Sequence, residues 1–432
     1  MENILAHALK RAAKAEVIEV QTNSNSIKFE NNRLKYIREK EACGWGLRLI
    51  REGKIGFSST TDPSQRRALV ENALEVSGFG QKAAFEFPGA SQKNPVCVFD
   101  KKVSSFTAGE AVEEGEKIIG AIREECPDCH CKVEIDKTIG KTRLINSVGL
   151  DEGYKKSSFH LYVEVLKVEE DSLLSVYDYY SSAKLIQSTD FIIDRIKQRL
   201  TLSKQTAGLA SGRYPVIFTP KAVPTLLHSV EIGVNGKMIQ KGSSPLTDRW
   251  GELIFDPQLT IYDDAGIDFC AGSAPIDDEG IATQKIPIVE DGILKNFLFD
   301  LQTAALRGRE STGNGYRYFD SLPSPASSNL SVSPGNMEWN KTVRGLKEGV
   351  IVDQVLGGGQ SNVLGGEFSV NIGLGFLVKE GEVIGRIKDC MVAGNIYESF
   401  NSLVGLGQKA EIYGGIITPF FYFEALPVVG GR

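Results

Sequence analysis

A chain of 432 residues, 41% hydrophobic and 24% charged, is too long for one ordinary core, so two or three soluble folding units are expected. The net charge of -6, with a pI near 5.6 and no run of Lys or Arg, argues against direct nucleic-acid binding, which needs concentrated basic residues. No membrane span is expected either, because the longest apolar run, 416–429, is shorter than a bilayer and is broken by Pro419, Glu424 and Pro427.

The opening residues Met1-Glu2-Asn3-Ile4-Leu5-Ala6-His7 start an amphipathic helix without an apolar leader or cleavage site, so a cytoplasmic protein is expected. Seven cysteines, an odd number, then fit reduced thiols rather than a disulfide framework. Residues 17–21 alternate like a strand, and 26–59 read as strands with a turn at Asn31-Asn32. Arg51-Glu52-Gly53-Lys54 marks a tight hairpin. Asp62 and Pro63, as N-cap and first helical residue, predict a helix to about Val76. These elements form a first α+β unit over 1–80, and 81–103 read as an extended connection.

A second unit, 104–208, opens with the capping-box spacing of Thr107 and Glu110 ahead of Ile118, Ile119 and Ile122. Strands are predicted at 132–136, 142–147, 157–167 and 172–181, then a helix over 190–205. From 209 to 432 the chain turns glycine-dense and strand-rich. A strand at 214–219 and a helix at 220–232 precede hairpins at Glu290-Asp291-Gly292 and Lys379-Glu380-Gly381-Glu382. The expected class is α+β: N-terminal α/β units with mixed sheets, followed by a strand-rich, strongly curved or barrel-like C-terminal domain.

Few residues carry chemistry. Cys126-Pro127-Asp128-Cys129-His130-Cys131 contains C-x-x-C-H, a spacing used for haem, for thiol redox work or for half a zinc site, yet it closes a helix and enters a strand, which favours a tight turn with reduced thiols. Asp263-Asp264 and Asp277-Asp278-Glu279-Gly280 have the oxygens for a hard cation, but Asp and Gly also serve turns for backbone reasons alone. Gly357-Gly358-Gly359-Gln360-Ser361-Asn362 lacks the Lys-Ser/Thr ending and the helix of a phosphate loop. There is no G-x-S-x-G. Of His7, His130, His160 and His228, only His228 sits on a plausible site helix.

The stretch Leu226-Leu227-His228-Ser229-Val230-Glu231-Ile232-Gly233 has a first imidazole where a helical HExxxH motif would hold Zn²⁺. Ser229 stands where the general base belongs, and Gly233 stands where the second ligand belongs. Glu231 can share a helical face with His228, but one His and one carboxylate leave a zinc shell short.

Gly44-Trp45-Gly46-Leu47-Arg48 followed by Gly53-Lys54-Ile55-Gly56-Phe57 resembles the Gly-x-Gly-x-Arg hairpin of the PmbA/TldD family, once called modulators of DNA gyrase. Lys241-Gly242-Ser243-Ser244, Thr260-Ile261-Tyr262-Asp263-Asp264, Asp277-Asp278-Glu279-Gly280, Ser311-Thr312-Gly313-Asn314 and Gly365-Gly366-Glu367-Phe368-Ser369 follow in that family's order. The resemblance implies two branches. A TldD-like branch binds zinc through HExxxH and a C-terminal Cys, and a PmbA/TldE-like branch lacks that set and pairs with the first. Here the Cys-bearing segment resembles Ser402-Leu403-Val404-Gly405-Leu406-Gly407-Gln408, which has no thiol.

The resemblance thus implies a non-catalytic subunit with His228 and Glu231 as the remnant of a zinc helix, Ser229 and Gly233 as its departures, and no metal or cofactor of its own, the zinc lying in a TldD-type partner. The implied partners are that zinc protease and unfolded peptide, with a homodimer left open. Two alternatives stand beside it: an active metallopeptidase with a site rearranged from His228, Glu231 and a distant thiol, Cys270 or Cys390, and a gyrase-modulating binding protein.

Overall fold

The computed structural model describes residues 1–90, 92–169, 172–357 and 361–431. Six strands build the first sheet: β1 (Lys14–Glu30), β2 (Arg33–Arg51), β3 (Lys54–Thr60), β4 (His130–Asn146), β5 (Asp151–Val168) and β6 (Leu173–Ser182), in the order β3-β2-β1-β4-β5-β6. Every pairing is antiparallel, where mixed sheets were expected: short turns join β1-β2-β3 and β4-β5-β6 as two meanders, and β1 pairs antiparallel with β4 across a long connection. Asn31 and Asn32, and Glu52 with Gly53, take the positive φ that such turns demand. The units expected at 1–80 and 104–208 both contribute to this sheet, joined from Glu16 opposite Asn146 to Phe29 opposite Val133.

Helix α1 (Glu2–Ala8) and α2 (Arg66–Ser77) cover one end of the sheet, where Leu47 and Leu49 meet Leu69, Val70, Ala73 and Leu74. Asp62 does cap the approach, accepting from the Ser64 N–H, but Pro63–Gln65 is a 3-10 turn and the α-helix starts at Arg66. Helices α3 (Ala108–Glu125) and α4 (Asp190–Leu202) cover the other end through Ile118, Ile122, Ile192 and Ile196, packed with Val133, Leu161 and Val163. The Thr107–Glu110 capping box forms as the spacing predicts.

In the C-terminal region β7 (Gly212–Phe218), β8 (Glu348–Leu356), β9 (Glu367–Lys379), β10 (Met391–Asn395) and β11 (Phe421–Val429) close into a barrel. The ring runs β8-β7-β11-β10-β9 and returns to β8, and only the β7–β8 pair is parallel. Closure leaves these strands no free edge along the ring. Helix α5 (Pro224–Gly233) buries Leu226, Leu227 and Val230 in the same core as Val216, Phe218, Phe421 and Phe423. A second sheet carries Ile261–Asp264, Lys285–Glu290 and Leu330–Val332 beside the barrel. No helix of the described residues is long and apolar enough to cross a membrane. The glycine-rich stretch Gly357-Gly358-Gly359-Gln360-Ser361-Asn362 lies in part outside the described residues.

Candidate functional site

Pro224 opens α5 and its apolar stripe turns inward, which leaves His228 and Glu231, one turn apart, on the outer face. His228 Nδ1 lies 3.3 Å from Glu231 Oε2, with the imidazole side chain 55% exposed. The hydrogen bond to Glu231 raises the imidazole above its ordinary pKa, and the imidazole in turn lowers the Glu231 carboxyl. The other Glu231 oxygen accepts from Ser327 Oγ. Ser229 is buried on the core side of the helix.

Gly233 is held close. Its carbonyl accepts from Ser244 Oγ at 2.6 Å, and a Cβ built on it would stand 2.5 Å from Tyr397 Oη. Tyr397 belongs to α6 (Ile396–Ser399), a single turn that packs against α5. Its ring stacks on Phe255 at 6.1 Å, its hydroxyl is buried without a hydrogen-bond partner, and burial pushes its pKa up to about 12. A tyrosine therefore occupies the space into which a side chain at 233 would grow.

The segment 402–408 brings no metal donor. Leu403–Leu406 is a short strand on β11, with Leu403 and Leu406 buried beside Phe421 and Phe423. The two distant thiols are engaged elsewhere, Cys270 with the Gly414 carbonyl and Cys390 with Lys388 and Gly431. At Cys126 the chain leaves α3 and enters β4. Asn32 fixes that turn by donating to Cys129 O and accepting from Cys131 N, while the buried Cys129 and Cys131 sulfurs sit 3.7 Å apart. Among the described residues no group of three or more His, Cys, Asp or Glu side chains is placed to hold a metal ion.

The acidic groups are spent on structure. Asp263 accepts from Asn314 Nδ2 and from Ser328 N and Oγ, and burial pushes its pKa up to about 6. Asp277 accepts the N–H groups of Glu279, Ile281 and Gly315, an Asx-type turn. Glu279 takes Arg48 Nη1 at 2.6 Å and the Leu301 N–H at 2.7 Å.

That last contact explains the glycine-arginine hairpin. Residues 44, 46 and 48 share one face of β2, since alternate residues of a strand point the same way. A Cβ on Gly44 would meet the Phe319 ring at 2.4 Å, and one on Gly46 would meet the Phe319 carbonyl at 2.2 Å, so the two glycines let the C-terminal domain lie directly on the sheet. Arg48 then bridges Glu16 at 3.0 Å and Glu279, and Arg317 also reaches Glu16 at 2.7 Å. All four side chains are buried, two cations against two carboxylates. Phe85 and Phe87, from the stretch expected to be a plain connection, pack over the Arg48 guanidinium at 4.7 and 5.1 Å. Sequence reasoning missed Glu16, Arg317 and Tyr397 as partners, because each is joined to its motif only by long-range folding.

Residues 211–430 match the model of the PmbA/TldA metallopeptidase C-terminal domain, and 15–77 match that family's domain 1. The chain belongs to the PmbA/TldD family. An uncharacterized protein of Methanocaldococcus jannaschii is 27% identical, covering 98% of both chains. A PmbA-homologue metalloprotease of Haemophilus influenzae is 23% identical over 98% of this chain and 94% of its own. Among solved structures, TldE from Thermococcus kodakarensis superposes with a TM-score of 0.92 at 22% identity, covering all of both chains, a likeness of fold. Against the zinc that a PmbA/TldD metallopeptidase implies, the residues of α5 do not fit. His228 offers one imidazole already paired with Glu231, Ser229 faces the core, and Gly233 has no donor and no room for one beside Tyr397.

Proposed function

We propose that this chain is a metal-free subunit of the TldE type, which pairs with a TldD-type zinc peptidase and helps to enclose and position unfolded peptide. The observation that carries this reading is Tyr397 standing over Gly233, because it fills the place of the second ligand rather than leaving a vacant pocket that a loose metal could exploit. The fold shared with TldE of Thermococcus kodakarensis supports it. Ser229 supports it too, since a hydroxyl is no general base near neutral pH. Gel filtration of the chain mixed with a TldD-type companion tests the pairing: co-elution as a mixed complex is expected, and separate elution would sink it. Metal analysis tests the other half, because stoichiometric zinc that is lost in His228→Ala would show a working site on α5.

A further inference from the structure

A cleft of about 560 Å³ lies where the first sheet meets the C-terminal domain. Tyr154 and Lys156 of β5 form one wall, and Asp278, Tyr316 and Arg317 line it from the C-terminal side. Ser327 also lines it, and through its hydrogen bond to Glu231 the cleft reaches the outer face of α5.

The charges of this cleft are incompletely matched. Lys156 is largely buried, and its ammonium donates to the carbonyls of Ala271 at 2.7 Å and Ser273 at 2.8 Å, which leaves a third donor; among the described residues it enters no ion pair. Burial lowers its pKa to about 8. Arg317 is fully buried and spends one Nη on Glu16, while its Nε and other Nη lack a hydrogen-bond partner. Asp277 and Asp278 are the opposing carboxylates: Asp277 accepts the N–H groups of Glu279, Ile281 and Gly315, Asp278 accepts the Arg317 backbone N–H, and burial raises the pKa of both. A buried cation without a counterion costs free energy that an entering anion returns. Tyr316 and Tyr318, a T-shaped pair half exposed to solvent, offer an apolar flank beside it.

We propose that this cleft receives the carboxylate at the C-terminal end of a peptide, with Lys156 as its cation and the tyrosines against the last side chain. The proposal rests on the peptide-positioning reading but needs no partner subunit. It is therefore tested on the full chain alone, by titration calorimetry with Ala-Ala-Phe, with the same tripeptide as its C-terminal amide, and with an Ala-Glu-Ala amide. The free acid is expected to bind about tenfold more tightly than either amide. Lys156→Gln, which removes the charge and keeps an N–H donor on a side chain one atom shorter, should erase that preference. Lys155→Gln, on the opposite face of β5 where the amine lies over Phe99, should keep it. Equal binding of acid and amide, no binding of either, or equal loss in both variants would overturn the proposal. Preference for the Glu-containing amide would overturn the assignment to the chain end. A mixed complex without an acid preference removes only the cleft; an acid preference without a mixed complex removes only the pairing.

Discussion

Two polar regions of this chain, one buried at the domain junction and one on the outer face of α5, engage their residues in opposite ways. At the junction of β2 with the C-terminal domain every part of the motif is used: two glycines admit Phe319, and Arg48 meets two carboxylates. On α5 the corresponding residues are little engaged: Ser229 faces the core, Gly233 lies under Tyr397, and the His228 imidazole is turned to solvent. The junction ties the first sheet to the C-terminal domain through buried ion pairs from Arg48 to Glu279 and from Arg317 to Glu16. The comparison predicts that substitutions at the junction act on stability and substitutions on α5 hardly do.

The largest effect should come from Arg48→Met. It removes the cation that Glu16 and Glu279 share and leaves buried charge uncompensated, a loss of roughly 3–5 kcal/mol. Urea unfolding followed by fluorescence should show a lower midpoint, or no folded protein at all. A loss below about 1 kcal/mol would mean that the junction is wet and the network weak.

Lys156 sharpens the comparison because it is also a buried cation but has no carboxylate partner. Its folded pKa of about 8 against an ordinary 10.5 corresponds to roughly 3 kcal/mol of destabilisation. That penalty is fully present below pH 8 and disappears as the pH rises towards 10.5, where the unfolded chain also loses the proton. Lys156→Met removes the penalty but takes a donor from two carbonyls, each worth about 1 kcal/mol. A net gain of about 1 kcal/mol is expected at pH 7, turning into a loss near pH 10. Opposite signs for Arg48→Met and Lys156→Met at neutral pH would separate a structural cation from one held for a ligand. A Lys156→Met variant that is less stable than the parent at pH 7 would place Lys156 with the structural group.

How much of this was legible follows the range of each interaction. The hairpin at Glu52-Gly53, the capping box at Thr107 and the helix bearing His228 and Glu231 are local, set by turn chemistry and spacing, and the sequence shows them. Strands expected at 132–136 and 142–147 are one strand, β4, because pairing with β1 on one side and β5 on the other carries the backbone across Lys137 to Lys141, where the apolar alternation fades. The strand-rich, curved character of the C-terminal domain was readable from its glycine turns. A curved or barrel-like sheet is what those turns predict; which strands close the ring is not readable, since that depends on β7 meeting β8 across more than a hundred residues. Likewise the absence of an imidazole at 233 is plain in the sequence, but Tyr397 as its occupant is not.

The smallest effect is expected at His228 itself. The Glu231 carboxylate raises the imidazole pKa above 6.5, so the imidazole contributes stability that is present below that value and is lost as the pH rises through the folded pKa. Glu231 is lowered from 4.5 by the same contact, so its share is present above 4.5 and is lost as the pH falls through its folded pKa. The difference between wild type and His228→Ala should therefore peak between about pH 4.5 and 6.5 and decline on both sides. With the imidazole more than half exposed, solvent screening should hold it under about 1 kcal/mol. Thermal unfolding across pH 4 to 8 measures this directly. A cost of several kcal/mol, or one independent of pH, would show that His228 is gripped by more than Glu231, and α5 would then have to be counted with the junction as a site still in use.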